Sequence, residues 1–265
     1  MKEIKVSVII PVYNSEKTIE NTIKSILSQT AVANILEIII VNDGSTDNSN
    51  KVIESISKIS KVPMKIINQK NQGVSVARNK GVQESNARWI AFCDSDDVWS
   101  REKLAIQLKC LKENEISFLG TGLIGYNPKI GKLCNGNLYS LNIKQLLTKT
   151  WPQTSTVILE KSIFEKCEGF PEKQKYAEDG NLWIKCLQLC KIYYIREELV
   201  NYGNGKEMFG SVGLSSNIKE MHLGVLKNIH DAYSLRLINA IFFFLFTNLE
   251  KIKYLRRVVI TKLNK

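Results

Sequence analysis

A repeating alternation constrains this chain more than any other feature. Through the first hundred residues, short and nearly continuous apolar runs trade places with helical patterns. Val6 to Ile10 reads as a strand, and Ile19, Ile23, Ile26 and Leu27 form one face of a helix. Ile35 to Val41, Met64 to Ile67 and Trp89 to Cys93 read as further strands. Between them, Val52, Ile53, Ile56 and Ile59 mark one helix and Val74 to Val82 another. Such β-α alternation implies parallel strands joined by right-handed crossovers, hence an α/β fold with helices on both faces of the sheet.

The polar clusters are as informative as the apolar ones. "PVYNSE", "NDGSTDNS", "NQKNQG" and "DSDD" each follow the carboxyl end of a predicted strand. In open α/β sheets that edge is where ligands bind. The alternation therefore gathers Tyr13, Asn14, Asp43, Asp47, Asn71, Asp94, Asp96 and Asp97 on one rim. Each cluster alone has a plainer use. Ser15, Ser45, Thr46 and Asp47 suit helix caps, Gly44 and Gly73 suit tight turns, and Asp97 or Ser100 suits a cap for the helix carrying Leu104, Leu108 and Leu111. A cap needs one oxygen, so Asp94 and Asp96 are left unexplained. Two close carboxylates repel unless a cation or proton lies between them. A divalent metal is the economical answer, and Mg²⁺ or Mn²⁺ suits oxygen ligands and arrives with a phosphate. A calcium loop does not fit, because Trp99 and Ala105 stand where the turn glycine and the bidentate glutamate belong.

Composition narrows the class. The 265 residues carry 37 Lys and Arg against 26 Asp and Glu, which favours anionic partners without choosing among them. Six cysteines form no CxxC pair and only two histidines are present, so a structural zinc site is not expected and the cysteines read as small core residues of a reduced protein. The N-terminal apolar run is short, is stopped by Pro11 and lacks a small-residue cleavage site, so it reads as a first strand rather than a signal peptide.

Five ordered segments carry a family resemblance: "VSVIIPVYNSEKTIENTIKSILSQT", "EIIIVNDGSTDNS", "NQGVSVARNKG", "IAFCDSDDVW" and "YAEDGNLW". In order and spacing they resemble a family 2 glycosyltransferase, over roughly residues 5 to 200. The resemblance implies the GT-A fold, a Rossmann-like, mainly parallel sheet flanked by helices. It divides the chain into a catalytic region over 1–217, with a nucleotide-sugar half at 1–100 and an acceptor-side half at 101–217, and a helical C-terminal extension at 218–265. It further implies that Pro11, Tyr13, Asn14 and Asp43 line the base pocket of a nucleotide-sugar donor, UDP by analogy, with Arg78 approaching the nucleotide. Asp94 and Asp96 match the DxD motif, Asp94 toward the ribose and Asp96 on Mn²⁺ or Mg²⁺, with Ser95 between them. Asp179 would accept the proton of the attacking hydroxyl with inversion at the anomeric carbon, and Glu178 would assist by binding the acceptor.

Later segments add candidates. The glycine-bearing stretch at 201–217 reads as a loop able to close over the donor, with Lys206 reaching the diphosphate. His222 is a candidate further metal ligand or a packed helical histidine, and Trp151 a candidate acceptor wall or core residue. "GTGLIG" at 120–125 fits a dinucleotide pattern, but Tyr126, Asn127, Pro128 and Gly131 continue as turn where a helix must open, so a strand pair is expected. "IAFCDSDDV" also fits a haloacid-dehalogenase-like phosphohydrolase with Asp94 as nucleophile, although that class opens with its motif and here three β-α units precede it. A catalytically inactive scaffold is the third class. No QxxRW-type motif is present, which argues for transfer of a single sugar.

From Leu235 onward an apolar stretch leads into a segment with six basic residues and one acidic residue after Thr247. A spanning helix needs about 20 apolar residues, so the run is too short to cross a bilayer. It reads as an amphipathic basic helix, lying on an anionic membrane or packed on a protein surface. The membrane version places the protein in the cytoplasm, peripheral at the inner face of the cytoplasmic membrane. There it would serve a lipid-diphosphate-linked glycan acceptor in surface polysaccharide assembly, with no nucleic-acid partner.

Overall fold

The computed structural model describes residues 3–126, 128–149, 152–205 and 217–263. Lys206 and Trp151, both named above, lie outside them. The expected alternation is present: β1 (Val6–Val12), α1 (Ile19–Leu27), β2 (Ile35–Asp43), α2 (Ser49–Ser57), β3 (Met64–Gln69), α3 (Val74–Gln83) and β4 (Trp89–Phe92). β1 pairs in parallel with β2 and with β4, and β2 in parallel with β3. All seven residues of β1 are buried, as are Ile38 to Val41 and all of β4. Both faces of these strands are covered by helices, which is why they read as unbroken apolar runs. Each fully buried Val, Ile or Phe contributes roughly 1.5–3 kcal/mol of transfer free energy, so the run of them fixes the register firmly.

Past β4 the pairing changes direction. β5 (Val98–Trp99), α4 (Lys103–Glu113) and β6 (Phe118–Leu123) follow, then β7 (Lys132–Asn135), β8 (Leu138–Leu141) and α5 (Ile143–Thr148). β9 (Ile158–Glu160) lies antiparallel between β4 and β6, followed by α6 (Lys161–Lys166). α7 (Glu178–Leu189) leads into β10 (Ile192–Asn201), which runs parallel to β6 and antiparallel to β8. The order is β3-β2-β1-β4-β9-β6-β10-β8-β7, with the short β5 attached to β10. "GTGLIG" falls in β6 and the turn after it, with Leu123 bridging antiparallel to Tyr126 and no helix opening at its last glycine.

Two last helices, α8 (Ile218–Ser234) and α9 (Ala240–Leu263), complete the described chain. α8 packs on α7, on α5 and on α9. They share a second apolar cluster of Leu147, Ala177, Ile184, Val225, Ile229, Ala232, Ile238 and Phe246. The amphipathic tail thus buries one face against the rest of the molecule.

α8 also builds the entrance to α7. Ala177, the residue before α7, is left-handed at φ 54°. Its carbonyl oxygen accepts from Gln174 Nε2 at 3.1 Å and from Asn228 Nδ2 of α8 at 2.8 Å. Asn181 Nδ2 donates to Asp231 Oδ2 at 2.7 Å, a second tie between the helices. Gly224 lets α8 approach this segment, since a Cβ there would sit 2.3 Å from the Tyr176 carbonyl oxygen. Gly224→Ala is therefore expected to destabilise the fold by about 1–3 kcal/mol, read as a lower urea midpoint, and a midpoint at or above that of the parent chain would contradict this account of the packing.

Candidate functional site

The site is built where the strands end. β1 hands the chain to Tyr13, half exposed, and Asn14, which takes φ 49°. Asn14 donates its backbone N–H to Ser45 Oγ at 3.0 Å, and its Oδ1 accepts from Thr46 N at 2.8 Å, so the loops after β1 and β2 are sewn together. Asp47 does the same from the other side. Its Oδ1 accepts from Ser49 N at the start of α2 at 2.9 Å, and its Oδ2 from Glu16 N at 3.0 Å. Asp47 thus serves the first N–H of α2 from one residue before the cap position, which is Asn48 and makes no side-chain cap, and it adds a cross-loop tie.

Asp43 closes β2 and is buried. Its Oδ1 accepts from Gln69 Nε2 at 2.8 Å and Gln72 N at 2.9 Å, and its Oδ2 from Gly73 N at 2.8 Å. Four lone-pair positions thus carry three donors, which leaves room for one more on the cleft side. Gly44, left-handed at φ 72°, lets the next loop come close: a Cβ there would meet Asn71 N at 2.7 Å.

The DSDD segment follows β4. Asp94 N donates to Ser155 Oγ at 2.8 Å, and Ser95 Oγ shares a 2.7 Å hydrogen bond with Ser15 Oγ. Asp96 is half-buried and lines the cleft. Asp97 is fully buried and turned the other way. Its Oδ1 accepts from Gly203 N at 2.7 Å and its Oδ2 from Gln153 Nε2 at 3.3 Å. Burial, with Asp94 and then Asp96 nearby, pushes its carboxyl up to about 8. Neither Asp97 nor Ser100 caps α4 with its side chain, as the sequence suggested one of them does. The residue at that position is Glu102, and it makes no side-chain cap.

Arg78 joins the DSDD segment to α7. It rises from α3 and is 4% exposed. Its Nη2 donates to Asp94 Oδ1 at 2.6 Å and its Nη1 to Glu178 Oε1 at 2.9 Å, while its guanidinium lies 5.0 Å from the Phe170 ring centroid. Arg78 lines the same cleft as the other donor-side candidates, and its terminal nitrogens bond two carboxylates there. Both partners are needed to hold the charge, and their attraction outweighs burial, so the guanidinium is held protonated more firmly than usual.

Asp179, next to Glu178 in the first turn of α7, has its Oδ1 accepting from Gly180 N at 2.7 Å. Loss of solvation, followed by the charge of Glu178, lifts its carboxyl to about 7. A carboxylate poised there and opening on the cleft suits proton acceptance near neutral pH. Pro11, Tyr13, Asn14, Asp43, Arg78, Asp94, Ser95, Asp96, Glu178 and Asp179 all line one cleft of about 1990 Å³. The cleft continues past Gln174 and Tyr176 to Lys253, Arg256 and Arg257 on α9. His222 does not line it. Its Nδ1 faces Glu250 Oε1 at 3.1 Å and its ring stacks on Tyr254 at 4.4 Å, so it packs α8 against α9 instead of adding a metal ligand.

Two oxygen-bearing carboxylates, Asp94 and Asp96, face the cleft, and no group of three or more His, Cys, Asp or Glu capable of holding a metal occurs among the described residues. That set fits Mg²⁺ or Mn²⁺ of the kind that keeps waters and takes its other ligands from a substrate phosphate, and does not fit a closed protein cage. Sequence reasoning missed Ser155, Gln153, Gln174 and Asn228, which support the site from outside any motif. Arg78→Ala is expected to cost about 2–4 kcal/mol, because two half-buried carboxylates lose their buried partner. Arg78→Lys should recover only part, since one ammonium cannot reproduce a planar fork. Equal unfolding midpoints for the parent and Arg78→Ala would refute the bridge.

Comparisons with known proteins bear on these features. The model of a family described as glycosyl transferase family 2 matches residues 7–162. An uncharacterized glycosyltransferase of Rickettsia bellii is 35% identical over 187 residues, 69% of this chain and 26% of that protein. The Rickettsia relatives are longer, and this chain spans 26% to 33% of their length. The UDP-Glc:alpha-D-GlcNAc-diphosphoundecaprenol beta-1,3-glucosyltransferase of Escherichia coli is 31% identical over 222 residues, 78% of this chain and 84% of that protein. Among solved structures, S. aureus TarS 1-349 with UDP superposes with a TM-score of 0.64 at 20% identity, covering 85% of this chain and 65% of that one. The mannosyltransferase PcManGT from Pyrobaculum calidifontis with GDP-Man and Mn2+ does so at 0.65 and 15% identity, covering 88% and 65%.

Proposed function

The chain belongs to glycosyl transferase family 2, and we propose that it moves one sugar from a nucleotide-diphosphate donor to a hydroxyl of a glycan acceptor carried on a lipid diphosphate, in bacterial surface-polysaccharide assembly. Its sheet is the mixed, mainly parallel sheet of the GT-A glycosyltransferases. This family membership displaces the phosphohydrolase and scaffold alternatives. The observation that carries the reading is the meeting of Asp94, Asp96 and Asp179 in one cleft, with Arg78 bonding Asp94 to Glu178, the neighbour of Asp179.

The roles follow from position. The base and ribose of the donor occupy the end lined by Pro11, Tyr13, Asp43 and Asn71, with Asp43 offering its remaining acceptor position to a ring N–H. A divalent cation, when bound, would be held by Asp96 with Asp94 and would neutralise charge on the leaving diphosphate. Asp179 accepts the proton of the attacking hydroxyl, and transfer in a single displacement inverts the anomeric centre. Glu178, anchored by Arg78, fixes the first turn of α7 so that Asp179 faces the acceptor. Relatives support the substrate class: the Escherichia coli enzyme named above acts with UDP-Glc on a diphosphoundecaprenol-linked GlcNAc. A putative teichuronic acid biosynthesis glycosyltransferase of Bacillus subtilis is 39% identical over 117 residues.

Titration calorimetry of UDP, with GDP for comparison, tests the donor half. Binding is expected with Mn²⁺ and is expected to vanish in Asp96→Asn; retention of binding in that variant would remove the carboxylate pair from its role. Asp179→Asn should keep UDP binding while transfer falls about 100- to 10,000-fold. A base must lose its proton before it can take another. With the Asp179 carboxyl lifted to about 7, the parent rate should therefore rise with pH through that value, and a rate flat from pH 5 to 8 would contradict the assignment.

α9 supports a membrane-facing position for the acceptor. Its outward face carries Ile241, Phe244, Leu245, Leu249, Ile252, Leu255 and Val259, all exposed. These positions keep helical spacing, and among the described residues no helix is long and apolar enough to cross a membrane. Lys251, exposed beside this stripe, complements an anionic leaflet, so α9 lies flat on it. Phe244→Asp with Ile252→Asp leaves the buried face intact. Co-sedimentation with phosphatidylglycerol vesicles should drop at least tenfold, and unchanged co-sedimentation would sink the membrane role.

A further inference from the structure

The cleft is divided by charge. After the strands it is lined by Glu16, Asp43, Asp47, Asp94 and Asp96 against Lys17, joined by Glu178 and Asp179 of α7, with Arg78 bonded to Asp94 and Glu178. Where α5 and α9 meet it is lined by Lys149, Lys253, Arg256 and Arg257. Among the described lining residues of α8 and α9 the one carboxylate is Glu250, bonded by both Arg257 and His222. No described carboxylate pairs with Lys149, Lys253 or Arg256.

These cations are held near one another by the fold. Lys253 Nζ donates to the Thr148 carbonyl oxygen at 2.7 Å, which brings α9 against the residue preceding Lys149. Burial, then the charges of Lys149 and Arg257, lower the affinity of Lys253 for its proton, despite the opposing pull of Glu250. Arg257 leaves its buried Nε without a partner. Like charges crowded at a cleft end, with donors to spare, are relieved by a polyanion.

The helix itself says what is attached to that anion. At 100° per residue, Arg256 and Ile260 lie between the buried face of α9 and its exposed apolar stripe, and both line the cleft. Ile218, Met221 and Val225 of α8 line the same end. An anion bound there therefore has an apolar exit beside it.

We propose that Lys149, Lys253, Arg256 and Arg257 form a metal-independent site for the diphosphate of a prenyl-diphosphate-linked acceptor, with the prenyl chain leaving along the apolar stripe of α9. The inference rests on the glycosyltransferase reading above and adds the place where the acceptor is gripped. The two ends of the cleft then hold two diphosphates in different ways. The donor's needs a cation at the acidic end, and the acceptor's meets side-chain cations directly, leaving the sugar between them at Asp179.

Farnesyl diphosphate, a water-soluble prenyl diphosphate, is the probe. It is titrated into the full chain in EDTA, against the variant Lys253→Gln/Arg256→Ala, with farnesol and dihexanoyl phosphatidylglycerol as comparison ligands. UDP with Mn²⁺ is titrated in parallel. The parent is expected to bind farnesyl diphosphate at least tenfold more tightly than either comparison ligand. The variant is expected to lose at least tenfold while binding UDP with Mn²⁺ as the parent does. Arg256→Ala alone, an exposed position, should lose a measurable part with no change in melting temperature. Equal binding by parent and variant, or no binding by the parent, would overturn the proposal. Equal affinity for phosphatidylglycerol would assign the cluster to ordinary lipid headgroups and overturn it too. If UDP still binds in that event, the donor reading survives. If UDP also fails to bind, the reading beneath the proposal falls with it.

Discussion

The site depends on one buried guanidinium. Arg78 is the physical link between the end of β4 and the start of α7, two segments separated by 84 residues if counted from Asp94 to Glu178. Without it, Asp94 and Glu178 would be unpaired negative charges beside Asp96 and Asp179, and mutual repulsion would open the cleft. With it, Asp94 and Glu178 are held in place, and Asp96 and Asp179 lie beside them on the cleft lining. Those are the two groups to which the proposed chemistry assigns a cation and a proton. The cost of burying Arg78 is offset by two charge-assisted hydrogen bonds and by the Phe170 ring.

A second dependency runs through α8. The first turn of α7 is entered through Ala177 in a left-handed conformation, which a non-glycine residue adopts only at a cost of order 1 kcal/mol. Gln174 and Asn228 hold its carbonyl oxygen and offset that cost. The position of Asp179 is therefore set jointly by α3, through Arg78 and Glu178, and by α8, through Asn228 and the close approach at Gly224. The helices after residue 217 therefore help to set the geometry of the cleft.

The parallel half of the molecule was legible because its information is local. Val8, Ile9, Ile10, Ile38 and Ile90 are buried on both faces of their strands, so each strand is an unbroken apolar run, and the polar clusters mark where each run ends. The antiparallel insertion of β9 between β4 and β6 was not legible. Three residues, Ile158 to Glu160, carry no periodicity, and their pairing is decided by partners about 70 residues away in β4. The cap expected of Asp97 was misplaced for a related reason. A carboxylate near a helix start suggests a cap, and what decides its place is a distant residue, Gly203, that no local pattern names. The bond of Arg78 to Glu178, 100 residues further on, is hidden from the sequence in the same way. Lys103 is similar: it is fully buried, with its ammonium 3.9 Å from the Trp99 ring centroid and bonded to Gln107, a placement its sequence context does not suggest.

The net basic excess of the chain and the acidity of its motifs, which look contradictory in sequence, become consistent once they are placed in space. The carboxylates collect where the strands end, because each crossover returns the chain to that edge and short polar turns are needed there. Lys253, Arg256 and Arg257 of the last helix line the same cleft away from the strands, because they border the face of α9 that packs on α5 and α8. Under the reading proposed above, an acidic region attracts a metal–diphosphate complex and repels a bare polyphosphate, and a basic region does the reverse, so charge alone would sort donor from acceptor before any sugar hydroxyl is read.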